Sequence, residues 1–167
     1  MSYDINITED VVEIYDAGQR YYLAAYDTTD QTNAGATSVN KITYNTTDLS
    51  SGISIASSSR ITMANAGIYN IQFSAQFAKT DGGDDVVDLW LCKNGNNVAN
   101  SNTEVTIHGN NGNFLAAWNF VVQASAGDYY ELCWSSADTD VRIDYRAAAT
   151  SPTRPAIPSV ILTVTQV

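Results

Sequence analysis

The amino-acid sequence predicts an all-β protein, an antiparallel two-sheet sandwich closed as a jelly roll. Three observations lead there. Apolar and polar side chains alternate without a break from Tyr69 to Phe77, which is the pattern of a half-buried strand. Tyr69, Ile71, Phe73, Ala75 and Phe77 share one face and Asn70, Gln72, Ser74 and Gln76 the other. Tyr, Thr, Ser, Asn, Val and Ala are abundant while Lys, Glu and Leu are scarce, a composition suited to strands and turns rather than helices. Further strand-like runs recur at the spacing of a sandwich, and no segment of comparable length has a helical period.

In chain order, the predicted strands are 20–26, 40–44, 53–56, 60–63, the run ending at Phe77, 85–92, 113–122, 128–134, 141–145 and 159–167. Segments rich in Asn, Asp and Gly separate them, including Asn45-Thr46-Thr47-Asp48, Asp81-Gly82-Gly83-Asp84, Asn94-Gly95-Asn96-Asn97 and Gly109-Asn110-Asn111-Gly112. Such residues supply the left-handed and tight-turn conformations that hairpins need. Alternation nominates core faces: Phe114, Ala116, Trp118, Phe120 and Val122; Tyr130, Leu132 and Trp134; Val141, Ile143 and Tyr145. Bulky or β-branched groups on both sides of 160–165 predict a central strand covered on both faces, entered through an extended lead-in carrying Pro152, Pro155 and Pro158. Residues 1–18 are strand-like but set apart by Asp16-Ala17-Gly18, so they read as an N-terminal arm preceding a single domain over 19–167.

A net charge of −10, from 18 acidic and 8 basic residues, argues against nucleic acid and anionic membrane surfaces as partners. No run reaches the roughly 20 apolar residues of a membrane helix. The N-terminal residues lack the basic and apolar regions of a secretory signal, so synthesis in the cytosol is expected. On that expectation Cys92 and Cys133 read as two reduced, packed thiols rather than a disulfide.

The ordered set Val39-Asn40-Lys41-Ile42, Ala66-Gly67-Ile68-Tyr69, Leu89-Trp90-Leu91-Cys92-Lys93-Asn94-Gly95 and Gly127-Asp128-Tyr129-Tyr130-Glu131-Leu132 resembles the globular head of complement component one-q and the tumour-necrosis-factor ligands. The resemblance spans residues 20–167 and implies a jelly roll that assembles into homotrimers and binds through its outer loops. The segments Ile5 to Ile14 and Pro155 to Val164 resemble sequences of tailed-phage virion proteins, among them tail fibres and head-decorating proteins.

Catalytic chemistry is not legible. His108 is the only histidine, and neither a nucleophile elbow nor a zinc ligand set accompanies it. It reads as a loop or solvated strand position. No phosphate loop, dinucleotide fingerprint or cofactor motif is present in the sequence. Asp81, Asp84 and Asp85, and separately Asp138, Asp140 and Asp144, read as solvated acidic loops, with calcium ligation as the alternative. Tyr21, Tyr22 and Tyr26 read as core and sheet edge, with a sugar-stacking surface as the alternative. Trp90, Tyr129 and Cys133 stay open between subunit contact and ordinary packing.

The expected function is therefore non-enzymatic: a homotrimeric phage virion protein that decorates or cements the capsid. Its N-terminal arm would dock on other virion proteins through Ile5, Ile7, Val11, Val12 and Ile14. The expected location is the virion, after synthesis in the host bacterial cytoplasm. The alternative is a tail-fibre adhesin recognising a host surface glycan or protein through loops such as 93–102 and 108–113.

Overall fold

A computed structural model describes residues 20–167, and every regular element among them is a strand. The arm residues Ile5, Ile7, Val11, Val12 and Ile14 lie outside the described residues. The strands are β1 (Tyr22–Asp27), β2 (Gln31–Thr32), β3 (Asn40–Lys41), β4 (Thr46–Ser51), β5 (Ile53–Ala56), β6 (Arg60–Met63), β7 (Gly67–Ala78) and β8 (Asp85–Lys93). They continue with β9 (Asn96–Asn97), β10 (Thr103–Ile107), β11 (Asn113–Ala124), β12 (Tyr129–Ser136), β13 (Arg142–Ile143), β14 (Ala149–Thr150), β15 (Thr153–Arg154) and β16 (Val160–Gln166).

Two antiparallel sheets form the sandwich. The first runs β4-β1-β16-β7-β11, with β13 continuing the line of β16 along β7 and β2 paired to β13. The second runs β5-β6-β12-β8-β10, with β3 beside β12 and β9 beside β8. Strand β7, whose alternation is the clearest in the sequence, pairs with β11 along its full length, from Gly67↔Ala124 to Ala78↔Asn113.

Tyr69, Ile71, Phe73, Ala75 and Phe77 of β7 are all buried between the sheets. They join Leu23, Ala25, Val160, Leu162 and Val164 from the same sheet and meet Ile61, Met63, Val87, Leu89, Leu91, Tyr130, Leu132 and Trp134 from the other. Two edge-to-face aromatic contacts anchor the layer: Phe77 with Trp134 at 5.4 Å between ring centroids and Phe73 with Trp118 at 4.9 Å. At the β4–β5 corner Gly52 has a φ of +64°, and a Cβ there would meet Tyr21 Cδ1 at 2.3 Å. Only glycine tolerates both demands.

Several expectations are amended. The segment around Asn45-Thr46-Thr47-Asp48 is not simply a turn, because Thr46 opens the edge strand β4, whose residues are all exposed or half-buried and carry no alternation to read. Strand β10 was not predicted, since only Val105 and Ile107 mark its buried side. Strand β16 is central in hydrogen bonding but covered on one face only: Ile161, Thr163 and Thr165 are exposed.

The cysteines need a correction. Cys92 and Cys133 are joined as a disulfide. The β8–β12 register sets Cys92 opposite Glu131 and Cys133 opposite Trp90, so the two are diagonal neighbours on the outer face of the second sheet, with Cα atoms 6.5 Å apart. That separation is within reach of a bridge. The expectation of free thiols came from redox compartment, and a compartment argument cannot see strand register. Thiol titration of the unfolded, unreduced protein is expected to find no free thiol. Replacing both cysteines by serine is expected to lower stability in urea unfolding by about 2–4 kcal/mol.

Candidate interaction surfaces

The outer face of the first sheet can be followed strand by strand through its register. One row reads Tyr26, Ile161, Ser74, Ala117; the next Leu49, Ala24, Thr163, Gln72, Asn119; the next Tyr22, Thr165, Asn70, Val121. Gln76 with Leu115 and Ile68 with Gln123 flank these rows. None of these side chains is charged, on a chain with 18 acidic residues. Charge returns at the β4 edge, where Asp48 is exposed at the bulge between Thr47 and Leu49, and at one end of the sheet, where Arg142 and Arg146 clasp Asp144 at 3.0 and 3.1 Å.

Of nine large apolar residues exposed among the described residues, six lie on this face: Tyr22, Leu49, Ile68, Leu115, Val121 and Ile161. Small side chains at Ser74 and Ala117 leave a depression of about 270 Å³ in its middle, bordered by Gln72, Ile161 and Thr163. Beside it runs β11, twelve residues with no charge and no proline, hydrogen-bonded among the described residues to β7 alone. Its inward-facing Phe114, Trp118, Phe120 and Val122 are only partly buried. Isolated proteins guard such an edge with charge, proline or a bulge, because an open apolar edge recruits other chains. Tyr22 and Tyr26 lie on this outer face, whereas Tyr21 packs against the core, so the three tyrosines do not form one surface.

The outer face of the second sheet is built differently. Glu131, 1 % exposed, is held by the ammonium of Lys41, by the Ser59 hydroxyl donating at 2.7 Å and, at 3.9 Å, by Arg60. Burial pushes its pKa up, but the hydrogen bonds and charges of these partners outweigh it and hold the carboxyl below its ordinary value. Arg60 in turn lies 4.5 Å over the ring of Tyr129. Farther along, Trp90 projects from β8 beside Asp88 and the disulfide, and its indole N–H donates to Asn97 Oδ1 at 2.8 Å. A groove of about 430 Å³ opens there, lined by Trp90, Val39, Asp88 and the amides of 97–102.

The acidic loops regroup in three dimensions. Asp81, Asp85 and Asp138 bring one carboxylate oxygen each within 4.8 Å of one another; Asp140 meets Asp138 through its backbone N–H, which donates to Oδ1 at 2.7 Å, and Asp144 is held by Arg142 and Arg146. Into this group reaches the buried Lys79, whose ammonium donates to Asp85 at 2.5 Å and to the Gly83 carbonyl at 2.6 Å and lies 3.7 Å from Asp81. Lysine thus supplies a cation at the place where calcium was the alternative. Burial alone would lower the Lys79 pKa, yet the hydrogen bond and charge of Asp85, with Asp81 and Asp84, raise it. His108 is exposed just after β10 and pairs with Asp84 at 2.9 Å. That bond and the Gly109 N–H hold Asp84 below its usual value.

Nothing matches the chain by sequence, neither a model of a protein family nor a curated protein. Two crystal structures of murine APRIL, at pH 8.5 and pH 8.0, are similar in fold, each with a TM-score of 0.54 at 12% sequence identity. Each alignment covers 89% of this chain and 100% of the other. The fold is a tumour-necrosis-factor-like jelly roll, as the internal motifs led one to expect.

Two outcomes are expected of the ionic contacts. Lys93, Asn94 and the Ser125 N–H all donate to Asp128 and lower its pKa to about 2. A depressed carboxyl stabilises the fold above the unfolded value near 3.9 and loses that contribution as pH falls through the folded value. The stability difference between wild type and Asp128→Asn should therefore be full at pH 5–7 and shrink between about pH 4 and pH 2, measured by urea unfolding across pH. Lys41→Ala should cost about 1–3 kcal/mol at pH 7, because it leaves the buried Glu131 undercompensated, and less at pH 3, where that carboxyl can protonate.

Proposed function

We propose that this chain is a non-enzymatic structural protein that assembles as a homotrimer through the uncharged face and the β11 edge of its first sheet. One observation carries the assembly: a wide sheet face, uncharged from β1 to β11, with six exposed apolar side chains, bordered by an unguarded twelve-residue edge. A face of one copy meeting the edge of the next is a heterologous contact, which stays soluble only if it closes into a ring. A closed ring of three covers Ile161, Leu115 and Val121 and gives β16 the second cover that its side chains ask for. The loops that gather the acids stay outside and keep the assembly soluble.

The trimer, in this reading, decorates or cements the capsid of a tailed phage, with residues 1–18 as the docking arm. Support for that placement comes from the resemblance of Ile5 to Ile14 and Pro155 to Val164 to virion proteins. The apolar, strand-like arm also suits addition to an exposed sheet edge on a partner. A tail-fibre adhesin is the second reading, and the Trp90 groove is the observation that favours it.

Sedimentation equilibrium should give three times the protomer mass. Ala117→Glu or Ile161→Asp, both at exposed positions in the protomer, should leave the strand signal in circular dichroism intact while weakening assembly about a hundredfold or more, the consequence of burying an unpaired charge. A folded wild-type monomer, or trimers indifferent to both substitutions, would overturn the assembly. Deleting residues 2–16 should leave the trimer whole and abolish its binding to phage heads in co-sedimentation.

A further inference from the structure

We propose that the groove over Trp90, on the outer face of the second sheet, is a binding site for a neutral saccharide. It gives the adhesin reading a ligand class and a place, and it is independent of the trimer, which uses the opposite sheet. The groove measures about 430 Å³, within the range that holds small ligands. Its floor is an indole whose one polar atom is already engaged, since the Trp90 N–H donates to Asn97 Oδ1 at 2.8 Å. That bond locks the ring's orientation and leaves Trp90 to offer an apolar surface. The Cys92–Cys133 bridge beside it on the same face ties together the two strands that hold it.

Around the ring stand groups that recognise hydroxyls. Asn102 Nδ2 donates to Asp88 Oδ1 at 2.7 Å, which orients both side chains and leaves the second carboxylate oxygen of Asp88 and the amide oxygen of Asn102 to accept. Among the described residues the amide of Asn100 and the Nδ2 of Asn97 have no hydrogen-bond partner, and both line the groove. A sugar ring presents one apolar C–H face and a belt of hydroxyls that donate and accept together. An aromatic plate ringed by amides and a carboxylate matches that chemistry.

Charge narrows the class. Among the described residues no basic side chain lines the groove and its one ionised group is Asp88, while the adjoining groove carries Asp84, Asp85 and Asp138. Sialylated, sulfated or phosphorylated glycans are therefore repelled. The apolar part is a single indole with Val39 and Val98 at its margin, too little to seat the spaced apolar anchors of a peptide helix.

The test is saturation-transfer NMR on the full chain with methyl glycosides of glucose, galactose, mannose and N-acetylglucosamine, followed by a printed array of neutral and anionic oligosaccharides. Saturation transfer to the C–H protons of one ring face is expected. Trp90→Ala should weaken binding about tenfold or more, Trp90→Phe should retain part of it, and Asp88→Asn and Asn102→Ala should weaken it severalfold. If Trp90→Ala fails to fold, the last two substitutions carry the test, at the half-buried Asp88 and the exposed Asn102. A blank array and no transfer from a chain that still sediments as a trimer would overturn the site and leave the assembly standing. Binding that is indifferent to Trp90 and Asp88, a preference for anionic glycans, or selection of peptides instead would also overturn it. Saccharide binding by a monomer would leave the site standing and remove the trimer.

Discussion

The register of β7 is the constraint on which the rest of the molecule depends. It pairs with β11 over twelve residues on one side and with β16 over seven on the other, so three of the strands of the first sheet share one alternation. Because side chains alternate with a period of two, a slip by one residue would turn Phe73 and Phe77 out to solvent and carry Gln72 and Gln76 into the core. Trp134 would lose its edge-to-face partner and the second sheet its anchor. The same register also composes the outer face. Ser74 meets Ala117 and Ile161, and Asn119 donates to Asn70 at 2.7 Å, only in this alignment.

From that shared scaffold the two outer faces diverge in chemistry. From β1 to β11 the first is uncharged and wide, and its polar groups are hydroxyl or amide side chains. The second is sealed locally by charge, with Glu131 buried under Lys41, Ser59 and Arg60, and it keeps an open groove beside Trp90. In the proposed assembly, association falls to one sheet and recognition to the other. Near the end of the second sheet, Lys79 pairs with Asp81 and Asp85, two of the three grouped aspartates.

Legibility in the sequence followed the strength of alternation. The long strands β7, β11 and β12 are legible to within two or three residues of their ends with their inward faces correct, whereas the alternating run 141–145 yields only the two-residue β13. Strand β4, exposed along both sides, carries no such signal and was read as a turn. The disulfide was missed because Cys92 and Cys133, 41 residues apart, become neighbours only through the register of β8 on β12. For the same reason the acidic clusters sorted wrongly. Asp138 was grouped with Asp140 and Asp144 by sequence, but the fold carries it across to Asp81 and Asp85.

By itself, then, the sequence determined the fold class and which side of each long strand faces inward, since both follow from local periodicity and turn chemistry. The tertiary structure decided everything that depends on which strand lies beside which: the bridge between the cysteines, the lysine among the aspartates, the groove that joins Trp90 to Asp88 and Asn102, and the uncharged face assembled from β1, β16, β7 and β11. Alternation reports the direction of a side chain relative to its own strand. It carries no information about the neighbour, because strands far apart in the chain are brought together by long-range pairing whose partner no local pattern names.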